Sequence, residues 1–358
     1  MKRFMKSVCD AFPHNANGHA ARSKERPLKP TVKDVARSAG VSVGTVSRVL
    51  AKNATVNEGI RNRVDKAIEK LGYSPSSLGR SLRLNKSDII GFVIPDITNP
   101  FFADLAKHIE ILASAAGYSV LLANTHDDPL AEKTQIQSLL GRAPAGIVIA
   151  PVSNSLVIER LLKGPVCVTV DRPLTGHSLV SVDNVEGGRL AAAYLLGLGH
   201  RRIGYICGPR TTEVSLQRLR GFSDEIARVS TECGDKVEFT AVEGQFDYKS
   251  GEEMGRRLLS APANVRPTAI ATANDQQAIG LLRCSRDMGI RVPHDLSIVG
   301  FDDIPLASLV LPRLTTIRQP VHEIAEIAIR AVLVRGAING PILLPPSVVE
   351  RESTARVS

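Results

Sequence analysis

The sequence contains no tryptophan, and its 9 Phe and 5 Tyr keep aromatics at 4% of 358 residues. Any site that stacks a base or a sugar face must use one of these few rings. The five cysteines (Cys9, Cys167, Cys207, Cys233, Cys284) are odd in number, widely spaced and include no C-x-x-C. That argues against a disulfide framework or a zinc site, and for reduced thiols in a reducing compartment. The eight histidines form no H-x-x-x-H or similar cluster, so no metal is expected. No apolar run approaches the ~18 residues that span a membrane. The opening "MKRFMKSVCDAF" has charge but no apolar h-region, which is unlike a secretory signal; the expected location is the cytoplasm. A P-loop and a G-x-G-x-x-G are both missing. The nearest stretch, "GLGHRR", lacks the third glycine and follows a helical pattern rather than a strand. No cofactor and no enzymatic activity are expected.

What is present is charge, unevenly spread. Up to Lys86 there are 18 Lys and Arg against 6 Asp and Glu, whereas the remainder carries 27 against 30, within an overall formal charge of +9. A basic head on a near-neutral body suits a nucleic-acid-binding unit joined to a soluble one, although a solvated basic face without a partner has the same composition.

Periodicity divides the chain further. Residues 1–30 are polar and aperiodic and read as a basic, disordered extension. Residues 31–74 hold three apolar stripes at helical spacing: Val32, Val35 and Ala36; Val46, Val49 and Leu50; Val64, Ala67, Ile68 and Leu71, the last ending at Gly72. Residues 75–87, "PSSLGRSLRLNKS", read as a short Leu-spaced segment and linker. From 88 to 358, apolar runs ("IIGFVIP", "YSVLLAN", "GIVIAP", "VCVTVD", "IGYIC", "TAIATAND", "LSIVGFDD") alternate with helical stretches such as "FFADLAKHIEILASAAG" and "QQAIGLLRCSRDMG". That alternation means βαβ units on parallel sheets. There are too many units for one small sheet, so two doubly wound lobes are expected.

The stretch "AGVSVGTVSRV" (39–49) fits two motifs. Gly40 to Gly44 match the G-x-S-x-G of a hydrolase elbow, which requires a strand before the serine. The preceding "TVKDVARSA" has helical spacing instead, and no His or acid partner stands out. A helix-turn-helix accounts for each residue: Gly40 turns the chain with positive φ, Val41 plugs the turn, Ser42 caps the second helix, Val46, Val49 and Leu50 point inward, and Val43, Gly44, Ser47 and Arg48 point outward.

"TVKDVARSAGVSVGTVSRVL", with "YSPSSLGRSLRLNKS", "IPDITNPFF" and "LTTIRQP", resembles the LacI family of transcriptional regulators from Thr31 to about Arg351. The resemblance implies an all-α DNA-binding head, an α/β periplasmic-binding-protein-like body, and a homodimer reading a near-palindromic double-stranded operator while bound to the nucleoid. It places Val43, Gly44 and Arg48 at base-reading positions. Arg48 suits a guanine edge and Val43 a thymine methyl, while Gly44 offers no side chain where relatives often carry a polar reader. Ser42, Thr45 and Ser47 are assigned to phosphates. Leu82, in the family's hinge helix, would wedge into the minor groove. Gly79, where alanine is usual, would make that helix less ready to form.

Ligands of parallel sheets bind beyond the strands' carboxyl ends. Those ends carry Asp96, Asn99, Phe101 and Phe102, then Asp171 and Arg172, Asn274 and Asp275, and Asp302 and Asp303. Carboxylate, amide and guanidinium groups beside flat rings suit a sugar. The body's similarity to periplasmic sugar binders, ribose binders above all, selects Asn99, Phe101, Phe102, Asp171, Arg172, Arg218, Phe246, Asn274, Asp302 and Gln319. It implies a pentose such as ribose, or a ribonucleoside. Asp96, Asp183 and Asp275 are expected to be caps or loop supports. A transport-type sugar binder, or a regulator responding to a purine or phospho-sugar, remains an alternative.

Overall fold

In a computed structural model, which describes residues 30–50, 56–73, 87–232, 234, 236–334 and 337–357, each apolar stripe of the head becomes a helix. These are α1 (Val32–Ala39), α2 (Val43–Leu50) and α3 (Glu58–Leu71). Asp34 accepts hydrogen bonds from the backbone N–H (2.9 Å) and hydroxyl (2.6 Å) of Thr31, which fixes the start of α1. Gly40 ends it with φ 62°, and the Val41 N–H returns to the Ala36 carbonyl at 3.0 Å. Ser42 caps α2, its Oγ accepting from Thr45 N–H at 3.1 Å. Val35, Ala36, Ala39, Val46, Val49, Val64 and Ala67 form the core, with Val32, Val41, Leu50, Ile68 and Leu71 packed around it. A helix, not a strand, leads into Ser42, which rules out the hydrolase elbow.

The chain divides into two units, 1–84 and 85–358. The expected hinge segment, with Leu82 and Gly79, lies outside the described residues.

The second unit contains two six-stranded sheets. One lobe is built from β1 (Ile89–Ile94), α4 (Pro100–Ala115), β2 (Ser119–Asn124), α5 (Pro129–Leu140), β3 (Gly146–Ile149), α6 (Leu156–Leu162), β4 (Cys167–Val170) and β5 (Ser178–Val182). The other is built from α7 (Asn184–Gly197), β6 (Arg202–Cys207), α8 (Glu213–Glu232), β7 (Glu238–Glu243), α9 (Tyr248–Leu259), β8 (Ala269–Thr272), α10 (Asp275–Asp287), β9 (Ser297–Asp302) and β10 (Thr315–Arg318). Then α11 (Val321–Leu333) and β11 (Ile342–Leu344) return to the first lobe, and β12 (Ser347–Val349) ends in the second. The sheet orders are β11-β5-β4-β3-β1-β2, parallel throughout, and β12-β10-β9-β8-β6-β7, where β12 alone is antiparallel.

Strands such as "IIGFVI" and "GIVI" are buried on both faces because helices cover both. In the first lobe, α4 and α11 cover one face and α5 and α6 the other. In the second, α7 and α8 face α9 and α10 across the sheet. Within the described residues the chain passes between lobes after β5, after β10 and between β11 and β12, so three connections join the lobes. The seven apolar runs became strands. The sheets also include β5, β7, β10, β11 and β12, which no long apolar run announces: β7 is a half-exposed edge strand, and β11 and β12 have three residues each. Cys167, Cys207 and Cys284 are unpaired.

Candidate effector site and DNA-reading helix

On α2, Val46 and Val49 are buried while Val43, Gly44 and Arg48 are exposed and Ser47 is half-buried. Of the four residues expected to point outward, Val43, Gly44 and Arg48 are exposed and Ser47 only partly so. A Cβ on Gly44 would meet only the Ser42 hydroxyl, at 3.7 Å, so packing does not forbid a side chain there. The hydroxyls assigned to phosphates also work within the helix. Ser42 Oγ lies 2.9 Å from Thr45 Oγ1, and Ser47 Oγ donates to the Val43 carbonyl at 2.9 Å. Ser47 must rotate to donate to a phosphate.

Asn99, Phe101, Phe102, Asp171, Arg172, Arg218, Phe246, Asn274 and Asp302, together with Val214, line one cavity. Gln319 does not line it but touches it, donating to Asp302 Oδ1 at 2.8 Å. The topology explains this convergence, since all but Arg218, on the second turn of α8, follow a strand's carboxyl end or begin the next helix. Asn99 and Asn274 cap α4 and α10, their Oδ1 atoms accepting from Phe101 N–H at 3.1 Å and Gln277 N–H at 2.9 Å. Asn274 Nδ2 donates to the Phe246 carbonyl at 3.3 Å. Phe101 and Phe102 meet edge-to-face at 5.1 Å. Asp171 and Asp302 sit at φ 62° and 115°, backbone conformations rarely adopted outside glycine and, at 62°, Asn or Asp.

Four charges dominate the cavity. Arg218 is 4% exposed. Its Nε donates to Asn184 Oδ1 at 2.8 Å, and its Nη1 donates to the Ala273 carbonyl at 2.6 Å and to Asp302 at 3.5 Å. Its guanidinium carbon lies 3.7 Å from the centre of the Phe301 ring. Arg172 Nη1 donates to Asp127 at 3.2 Å, while its Nε is 3.6 Å from Asp171. Two carboxylates thus meet two guanidiniums in the lining. Arg172 Nε, in the lining, and Gln319 Oε1, outside it, are buried without a hydrogen bond. The cavity is narrow, with a volume of about 20 Å3.

Burial pushes the Asp302 carboxyl up to about 7, against the pull of Arg218 and Gln319. Burial raises Asp171 as well, opposed by Arg172 and Arg218. Between the unfolded value of 3.8 and about 7, folding takes up a proton at Asp302, so this group's contribution to stability falls as pH rises through that window. Asp302→Asn removes the dependence. The stability of the variant relative to wild type is expected to improve by on the order of 2 kcal/mol between pH 5 and 8, measured by urea denaturation. Taking the difference cancels groups of opposite sign, such as His200, whose imidazole burial pushes down.

The remaining strand-end acids have structural tasks. Asp96 closes a turn onto Thr98, Asp183 caps α7, and Asp275 accepts from Ile304 N–H at 2.9 Å and Thr316 Oγ1 at 2.6 Å. Sequence reasoning missed Val214, Asn184 and Gln277. Gln277 ties α10 to the Cys207 and Gln245 carbonyls at 3.1 and 2.8 Å. The strand-end rule would have found Asn184, had "SLVSV" been taken as a strand.

The family "Bacterial regulatory proteins, lacI family" matches residues 31–76, and "Periplasmic binding protein-like domain" matches 192–354. The chain is 36% identical to the ribose operon repressor of Escherichia coli K12 over 334 residues, 90% of this chain and 99% of that protein. Among solved structures, a lac repressor dimer bound to operator and the anti-inducer ONPF is 28% identical with a TM-score of 0.82, covering 91% of this chain and 99% of that one. An Enterococcus faecium LacI-family regulator with bound ribose is 28% identical with a TM-score of 0.67, over 75% and 100%. The chain belongs to the lacI family of bacterial regulatory proteins: it is a DNA-binding transcriptional regulator carrying a periplasmic-binding-protein-like body.

Proposed function

We propose that this regulator is a homodimeric repressor that leaves its operator when a neutral pentose, ribose in the first instance, occupies the cleft between its lobes. One observation carries the choice of ligand. The cavity sets Asp171 and Asp302 beside Arg172 and Arg218, so neither guanidinium is free of a carboxylate, and it leaves the buried Nε of Arg172 without a hydrogen bond for a hydroxylated partner. A phosphate would bring charge that no free guanidinium answers. Phe101, Phe102 and Phe246 offer apolar faces to the ring's C–H groups. The ribose operon repressor and the ribose-bound Enterococcus regulator support the same class.

A change in the angle between the lobes on ligand binding moves the elements leading to the head, and residues 75–87 serve as the hinge. Arg48, Val43 and Gly44 face the bases, Ser42, Thr45 and Ser47 the phosphates, and Leu82 the central minor groove. The working location is the cytoplasmic nucleoid. Calorimetric titration of the full chain tests the ligand: ribose is expected to bind at least tenfold more tightly than ribose 5-phosphate, glucose or adenosine. Tighter binding of the phosphate ester would overturn the charge argument, and tighter binding of adenosine would reassign the phenylalanines to a base.

A further inference from the structure

Arg172 has Asp127 and Asp171 beside it, and it also interacts with a third carboxylate that does not line the effector cavity. Glu132 lies in the first turn of α5 and is wholly buried. Its Oε1 accepts from the Val152 N–H at 2.8 Å, which ties α5 to the loop between β3 and α6. Its Oε2 is buried without a hydrogen bond. A structural tie between α5 and that loop is the plain reading of this residue. Two observations go beyond it.

The first is the charge itself. A glutamine would accept the same hydrogen bond from Val152, whereas a buried carboxylate oxygen that no donor meets is costly. The second is the neighbour. Burial pushes the Glu132 carboxyl up, and the Val152 N–H and the charge of Arg172 pull it back down. Arg172 is itself 8% exposed, and its Nε lacks a hydrogen bond. Of its other carboxylates, Asp127 has a side chain 58% exposed and is screened by water, while Asp171 is buried 3.6 Å from Nε. Two buried carboxylates, Asp171 inside the lining and Glu132 outside it, therefore act on one buried guanidinium.

We propose that Glu132 is a selectivity residue of the effector cavity: acting through Arg172, its charge makes the cavity reject anionic sugars and accept neutral ones. This rests on the reading of the cavity as the site of a neutral pentose. An anion entering the cavity would compete with a buried carboxylate for Arg172 and would meet its repulsion. A sugar hydroxyl can accept from Arg172 Nε and brings no charge. Glu132 is thus a positioning residue for charge, not a ligand contact. Removing its charge while keeping its hydrogen bond leaves Arg172 with one buried carboxylate instead of two, and so opens the guanidinium to phosphate.

Glu132→Gln in the full chain makes that change. Calorimetry with ribose and ribose 5-phosphate is expected to shift the variant's preference toward the phosphate ester by roughly fivefold or more, whichever of the two wild type prefers. Inorganic phosphate, a probe without a sugar ring, is expected to raise the thermal midpoint of Glu132→Gln more than that of wild type. Adding Arg172→Gln to Glu132→Gln is expected to cancel that gain. Phosphate held by the basic head affects all three proteins alike. An unchanged ester-to-ribose ratio, an equal response to phosphate in wild type and Glu132→Gln, or a gain that survives the loss of Arg172 overturns the role given to Glu132. A wild type that binds neither sugar overturns the pentose reading instead, and the phosphate comparison still decides the role of Glu132. If Glu132→Gln loses its cooperative unfolding transition, the carbon-13 carboxyl resonance of Glu132 in the otherwise intact chain decides. Arg172→Gln raising the pH at which it titrates supports the coupling of the two charges, and an unchanged titration refutes it.

Discussion

Arg218→Ala is expected to abolish ribose binding and to destabilise the body by ~3–5 kcal/mol at pH 8, the cost typical of leaving one partner of a buried ion pair uncompensated. The side chain makes four kinds of contact at once. Its hydrogen bonds to Asn184 and the Ala273 carbonyl join α7 to the end of β8, its charge faces Asp302, and its plane covers Phe301. Removing it leaves Asp302 6% exposed with Gln319 as its remaining hydrogen-bond partner. The pH dependence distinguishes lost charge from lost packing. Arg218 is the largest influence holding the Asp302 carboxyl down, so in the variant that carboxyl titrates above its wild-type value of about 7. The folded variant then holds a proton that the unfolded chain has released, across a wider window than in wild type. Its stability should therefore fall more steeply with rising pH, and its deficit should be smaller at pH 6 than at pH 8. Urea denaturation at both values measures this. Arg218→Lys is not a rescue, because an ammonium cannot reach the amide, the carbonyl and the carboxylate in one plane.

Gly188→Ala is expected to destabilise the body by at least ~1–3 kcal/mol, even though alanine is the better helix former by ~1 kcal/mol. A Cβ at Gly188 would lie 2.0 Å from the Arg218 carbonyl, and one at Gly221 would lie 1.9 Å from the Val185 carbonyl. These reciprocal contacts set α7 against α8 backbone to backbone. Forcing the helices apart pulls Arg218 away from Asn184, so sugar affinity should fall along with the thermal midpoint. Gly197 is the control: it ends the same helix with nothing within 4 Å of its Cβ position. Gly197→Ala should be neutral or slightly stabilising, with unchanged sugar binding.

These two predictions mark where the sequence was legible and where it was not. Gly40, Ser42 and Val46 announce the head because a turn, a cap and an apolar stripe act within about ten residues. Asn99, Asp171, Asn274 and Asp302 were readable because polar residues at the ends of continuous apolar strands fall on one side of a parallel sheet. Asn184 escaped because the strand before it, "SLVSV", has only five residues, two of them serine. Gly188 and Gly221 look like mild helix defects until two helices are seen to touch through them. The return of α11 from the second lobe to the first is encoded by no local pattern.

The central claim is that one chain couples an occupied cleft to release of DNA. Its most direct test is operator affinity of the full chain, at one fixed salt concentration, with and without saturating ribose, on a near-palindromic duplex selected from genomic fragments. A coupling of ~1–3 kcal/mol predicts a loss of roughly 5- to 150-fold on adding ribose, with Arg48→Ala weakly bound in both conditions and Arg218→Ala tightly bound in both. Equal wild-type affinity in the two conditions, with calorimetry showing the cleft filled, would contradict the account.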